Sequence, residues 1–302
     1  MSNLKFLVIM GKSKSGGTRS YLRGRVGADV YSIGKDGKGK KQQVVRSLAE
    51  QVANPQTSEQ MFGRMVMSTV MQAQSALAVL VNHSFDGVPT GQPSLSEFVR
   101  RNYDLIKQDA KAHPSASNTF GLVKYGEKGA KAGLYVIANG TVVKPQALTD
   151  ESTAALAAMA IAKVAADDTA GEIRALLGAA VGDYITLVVI ANDGSAQFVR
   201  AIMSDTLSDE TNITAENVAQ LFDFEGTVTP TVALTDTAIT ISMPASVVPL
   251  SSGIIVSQKV SGSWKHNKAT MVNRASTIAY TANAAFITYP LGSERFLNGG
   301  DL

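Results

Sequence analysis

The sequence predicts an α+β fold: an extended basic N-terminal arm, a helical hairpin with a β-hairpin, then a C-terminal α+β domain ending in an antiparallel β-sheet or sandwich. Three observations carry this prediction. Residues 1–47 hold eleven Lys/Arg among many glycines, residues 58–112 carry apolar side chains every three or four positions in two runs, and the chain beyond residue 222 falls into short β-branched runs separated by Gly, Ser, Pro and Asp. The expected divisions are 1–47, 48–146 and 147–302.

The arm contains Lys12, Lys14, Arg19, Arg23, Arg25, Lys35, Lys38, Lys40, Lys41 and Arg46, together with Lys5, against Asp29 and Asp36 alone, a net charge of +9. The 17 basic and 23 acidic residues of positions 48–302 leave that portion at −6. GKSKSGGTRS, at 11–20, has the glycine spacing of a phosphate loop, but position 17 is Gly where that loop needs its Lys. Five further glycines from Gly24 to Gly39 interrupt any helix that could hold an anion at its N-terminus. With so few large apolar groups the arm should be ordered by contact with a neighbour. Its positives alternate with Tyr21, Leu22, Val26, Val30, Tyr31 and Ile33, a pattern suited to a strap across an acidic protein neighbour. Nucleic acid is the second choice, since a basic footprint is only the first of several criteria and no RNP-like motif, zinc finger or helix-turn-helix accompanies it.

Asn54-Pro55 signals a turn, and Thr57 with Gln60 makes a capping box that opens a helix over about 58–82. Phe62, Val66, Val70, Ala73, Leu77 and Leu80 form its apolar stripe. Ser94 with Glu97 reads as the cap of a second helix, faced by Leu95, Phe98, Val99, Asn102, Leu105 and Ile106 and stopped near His113-Pro114. Asn139-Gly140 then predicts a hairpin between LYVIA and TVVK, after a strand at TFGLVKY. STAALAAMAIAKVAA reads as an alanine-rich helix. TAGEIRALLG is a helix with a capping box (Thr169, Glu172) and Gly178 at its end, and ITAENVAQLF a short helix opened by Thr214. GDYITLVVIANDG and SAQFVRAIMSD should pair across the Asn192–Gly194 turn. TVTPTVALTDTAITISMP, GIIVSQKVSGSW, ATMVNR and STIAYTANAAFITYP supply the remaining β structure.

The chemistry that the sequence offers is sparse. There is no cysteine, so disulfides, thiolate metal sites and thiol nucleophiles are excluded. His83, His113 and His266 stand in separate segments without neighbours at ligand spacing, and neither metal nor cofactor is expected. Asp167-Asp168, Asp183, Asp193, Asp205, Asp209 and Glu210 read as solvated or turn-forming carboxylates, and Met61, Met65, Met67 and Met71 as helix packing. The apolar stretch near the N-terminus is too short for a secretory or spanning segment, so no membrane span is expected and the cytoplasm is the expected place of synthesis.

At NPQTSEQMFGRM the residues Arg46, Asn54, Pro55, Thr57, Gln60 and Arg64, and at NHSFDGVPTGQPSLSEFVRRN the residues His83, Ser84, Phe85, Gly87, Gly91, Ser94, Glu97, Phe98, Arg101 and Asn102, make the chain resemble a family of structural proteins from phages and prophages of gut Bacteroidetes, including crAss-like phages. GIIVSQKVSGSWKHNKATM matches more loosely, with Lys265-His266 where an Arg-Ser pair is the pattern. The resemblance implies a non-enzymatic virion component assembled in the host bacterial cytoplasm. It would be a tail or neck hub or ring subunit, present in several copies and touching other virion proteins. In that setting His83 is expected to anchor the loop between the two helices by hydrogen bonding.

Overall fold

The computed structural model describes residues 24–26, 29–35, 41–47, 58–112, 129–131, 133–165 and 167–274, which belong to two compact units, Met1–Pro55 and Gln56–Leu302. The phosphate-loop-like segment at 11–20, the residues Asn54, Pro55 and Thr57, the strand expected at TFGLVKY and the last expected strand, STIAYTANAAFITYP, lie outside the described residues.

In the first unit, β1 (Gly24–Val26), β2 (Asp29–Lys35) and β3 (Lys41–Ser47) form an antiparallel sheet in that order. The backbone is extended, as expected of the arm, but the strands pair with one another instead of running as a single strap. The cause is local. Val30, Tyr31 and Ile33 in β2 and Val44 and Val45 in β3 are residues that suit a pleated surface, and the intervening DGKGK is turn-forming by composition. Register places Arg25 and Arg46 on either side of Val30 in one cross-strand row, and Lys35 opposite Lys41.

The second unit begins with α1 (Ser58–Val81) and α2 (Gln92–Ala112). Val81 meets Ser94 at one end and Gly63 lies beside Tyr103 towards the other, so the pair is antiparallel. The α1 stripe is buried at Met65, Val66, Val70, Ala73, Leu77, Leu80 and Val81, and α2 buries Phe98, Asn102, Ile106 and Ala110. Leu105, expected inward, is 43% exposed. Phe62–Val81 is long and apolar enough to cross a bilayer, but its buried stripe is taken up by core packing against α2 and the sheet below.

Several segments depart from expectation. The alanine-rich stretch is β6 (Ala158–Ala162), not a helix, because its alternation puts Met159 and Ile161 into the core while both strand edges are paired. Alanine's helix propensity is too weak to resist that. Asn139-Gly140 does not close a hairpin: β4 (Val136–Ala138) pairs instead with residues 269–270, more than 130 positions later. Ser94 is not a cap, since α2 starts two residues before it and its hydroxyl donates to the carbonyl of Val81. Glu97 binds Arg100 and Arg101 instead.

The remaining elements are β5 (Leu148–Asp150), α3 (Ala170–Leu177), β7 (Tyr184–Ala191), β8 (Ala196–Met203), a 3-10 turn (Val218–Leu221) in place of the short helix, β9 (Phe222–Gly226), β10 (Thr231–Leu234), β11 (Ala238–Ser242), β12 (Pro249–Val260), β13 (Ser263–His266), β14 (Ala269–Thr270) and β15 (Val272–Asn273). The expected capping box on α3 is present, and Gly178 ends the helix in the left-handed conformation (φ 59°). β7 and β8 pair across the Asn192–Gly194 turn as expected.

The main sheet runs β13-β12-β7-β8-β9 with β15 beside β12, and the smaller one runs β10-β11-β6-β5, every strand pairing antiparallel. On one face of the main sheet Val188, Ile190 and Ile255 pack under α1 and α2. On the other, Ile185, Leu187, Val189 and Val256 meet α3 and the smaller sheet through Ile173, Met159, Ile161 and Ile241. A strand covered on both faces loses its polar alternation, hence the continuous apolar run ITLVVIA. The division expected at 146/147 therefore crosses a core cluster in which α1, α2 and Ile137 pack with Val188, Ile190, Ile255 and Met271.

Candidate functional site

The helices cover only part of the main sheet. Side chains of one strand alternate between faces, so the face that carries Val188 and Ile190 also carries Tyr184 and Thr186. Cross-strand register extends that row to Arg200 on β8, Ile255 and Ser257 on β12, and His266 on β13, with Trp264 two residues before His266. Together with Val79, Leu80 and His83 at the end of α1 these residues line a cavity of about 360 Å³.

The rim is fixed by the loop after α1. The side-chain oxygen of Asn82 accepts from the Gly91 backbone, the Ser84 hydroxyl donates to Ile137, and Phe85 bridges to Asn139. Asp86 accepts from the backbone N–H groups of His266 (3.1 Å) and Thr141 (3.3 Å), tying the loop to β13. His83 is exposed, and among the described residues its ring hydrogen-bonds the neighbouring Asn82 side chain at 3.4 Å. The expected anchoring role thus belongs to Asn82, Ser84 and Asp86, whose short side chains reach nearby backbone. His83 itself stands at the cavity mouth.

Inside, the Nδ1 of His266 lies 2.8 Å from the Ser257 hydroxyl. Burial lowers the His266 pKa below the usual histidine value, opposed by Asp86. A depressed histidine pKa makes the unfolded chain the better proton binder, so stability should fall as pH drops below about 6.5. The loss of stability between pH 7.5 and 5 is expected to be smaller in a His266→Gln variant than in the native chain. Parallel denaturation curves at the two pH values check this.

The aromatic part of the cavity is a ledge. The rings of Tyr184 and Trp264 are 4.8 Å apart and tilted by 53°, and Trp264 is 42% exposed. The Arg200 guanidinium lies 4.6 Å above the Tyr184 ring and binds Glu225 at 3.1 Å, while its buried Nε has no hydrogen-bond partner among the described residues.

A second feature is electrostatic. Residues 201–258 contain seven carboxylates and neither Lys nor Arg, and all seven side chains are exposed. Arg174, buried in α3, shapes this stretch by binding Asp209 and donating to the carbonyls of Ser204 and Leu207. Asp205, Asp209 and Glu210 lie at bend or turn positions, and the Asp209 side chain is engaged by Arg174. The sequence reading missed that no cation interrupts them.

Of the residues expected to bind a partner, Lys12, Lys14, Arg19, Arg23, Lys38 and Lys40 lie outside the described residues. Arg25, Lys35 and Lys41 are strand positions, and Arg46 is exposed. Met65 packs inward as expected, whereas Met67 and Met71 are exposed at 42% and 45%. Among the described residues no cluster of His, Asp and Glu has the makings of a metal site. Comparison of the chain with protein-family models, with curated proteins and with solved structures finds no match.

Proposed function

We propose that this chain is a non-enzymatic structural subunit of a phage particle, a multicopy component of a tail or neck ring or hub that also touches other virion proteins. In this reading the basic N-terminal unit of one copy binds the acidic stretch 201–258 of the next. The single observation that carries the reading is the charge division: +9 in residues 1–47 against seven uninterrupted, exposed carboxylates in 201–258. Complementary fields of this kind set partner choice and orientation, and head-to-tail contacts between unlike surfaces generate rings when the rotation closes. Placement in a phage particle rests on the resemblance carried by the motifs around Asn54 and His83.

The test uses the full chain. Replacing Arg25, Lys35, Lys41 and Arg46 together by Glu should convert oligomers to monomers in sedimentation, and native oligomers should weaken as salt rises. Adding Asp205→Lys, Glu210→Lys, Glu216→Lys and Asp223→Lys to that variant should restore assembly, since the attraction is re-created with its sign exchanged. Unchanged oligomers in the first variant, accompanied by loss of salt-sensitive DNA binding, would instead favour phosphate contacts by the arm.

A further inference from the structure

We propose that the cavity beside Trp264 is a binding site for a neutral saccharide, with one sugar ring stacked on the indole and its hydroxyls met by Arg200, Glu225 and His83. This does not depend on the assembly reading.

Three properties select that ligand class. The first is the exposed aromatic ledge. Trp264 keeps 42% of its surface open beside Tyr184, so an indole face is available to the C–H face of a sugar ring. The second is the pairing of donor and acceptor at the ledge. The Arg200 guanidinium and the exposed Glu225 carboxylate form an ion pair 3.1 Å apart. Vicinal hydroxyls both donate and accept, so one sugar edge can accept from the part-exposed Arg200 guanidinium while donating to the Glu225 carboxylate. The third is charge. Glu225 already neutralises Arg200, burial favours the uncharged form of His266, and α1 ends at the rim with its negative dipole end. A phosphate or carboxylate gains little there, whereas a neutral polar ligand loses nothing. The volume of about 360 Å³ lies at the lower end of the ~300–1,000 Å³ typical of ligand pockets, room for one or two pyranose rings.

Trp264 is the single tryptophan of the chain, so its fluorescence reports this site alone. Full-length protein should be titrated with cellobiose, maltose and N,N′-diacetylchitobiose, and separately with AMP and benzoate as anionic planar probes. A saturable change in Trp264 emission is expected with at least one disaccharide, and none with the anions. Arg200→Gln should weaken the binding about tenfold. Because Arg200 also packs on Tyr184, His83→Ala serves as the second variant: it alters an exposed side chain and should weaken binding several-fold with the fold intact. Absence of saturation with all three sugars overturns the proposal. So does saturation by AMP or benzoate alone, or binding unchanged in His83→Ala together with a folded Arg200→Gln.

Discussion

Gly140→Ala is expected to destabilise the second unit by roughly 3–5 kcal/mol, although this glycine needs no special backbone angle. A Cβ here would collide with the backbone carbonyl of His266 and the carboxylate of Asp86. Overpacking alone costs about 1–3 kcal/mol. The displaced Asp86 would also loosen its bonds to the backbone of Thr141 and His266, and hydrogen bonds to a charged group contribute about 1.5–3 kcal/mol each. For a unit of this size, a midpoint lower by about 10 °C follows from ~2–4 °C per kcal/mol. Gly87→Ala is the control. Its φ of 77° is unfavourable for alanine, yet nothing lies within 4 Å of the added carbon, so only the conformational cost of ~1 kcal/mol should register. Similar costs for the two variants in denaturant titrations would show that close backbone approach is not what Gly140 provides.

The same glycine explains why part of the fold was illegible. Asn-Gly between two apolar runs is the strongest short-range hairpin signal, and nothing local distinguishes a turn glycine from one that lets two distant backbones touch. The partner of β4 is supplied by residues 269–270, and the β6 strand is likewise decided by its distant neighbour β11. Three elements whose determinants are local match the expectation. The α1 stripe, the α3 capping box with Gly178, and the β7–β8 turn each depend on residues within a few positions of one another.

The cavity was missed for a related reason. Tyr184, Arg200, Ser257, Trp264 and His266 come from four strands, and their convergence depends on register, which is set by pairing and not by any one segment. Parity within β7 was available as a signal, since Tyr184 and Thr186 share a face with Val188 and Ile190. It says only that a polar end continues an apolar face. The charge division, by contrast, is a property of composition, and its basic half was visible without any structure.

Asn102→Leu is expected to cost about 3–5 kcal/mol, because this buried amide acts as a strand edge. On the helix face it looks like an intruder among Phe98, Val99 and Ile106. Its Oδ1 accepts from the Val136 N–H at 2.7 Å, and its Nδ2 donates to the carbonyls of Val136 (3.0 Å) and Phe98 (2.9 Å). One side chain therefore satisfies both backbone groups of Val136 at the edge of β4. Leucine has similar bulk but leaves that part-buried N–H and C=O without their partner, at about 1–3 kcal/mol each. Asn102→Asp separates hydrogen bonding from packing. The carboxylate can still accept from Val136 but meets two carbonyls that also only accept. Burial should raise its folded pKa above the unfolded value near 3.9, so the folded state binds the proton more tightly. Its deficit relative to the native chain should then be large at pH 7 and shrink towards pH 4, where a protonated carboxyl can donate. A deficit independent of pH, or an Asn102→Leu variant within 1 kcal/mol of native in denaturant titration, would mean that Val136 finds other partners and that the contact between helix and strand is merely steric.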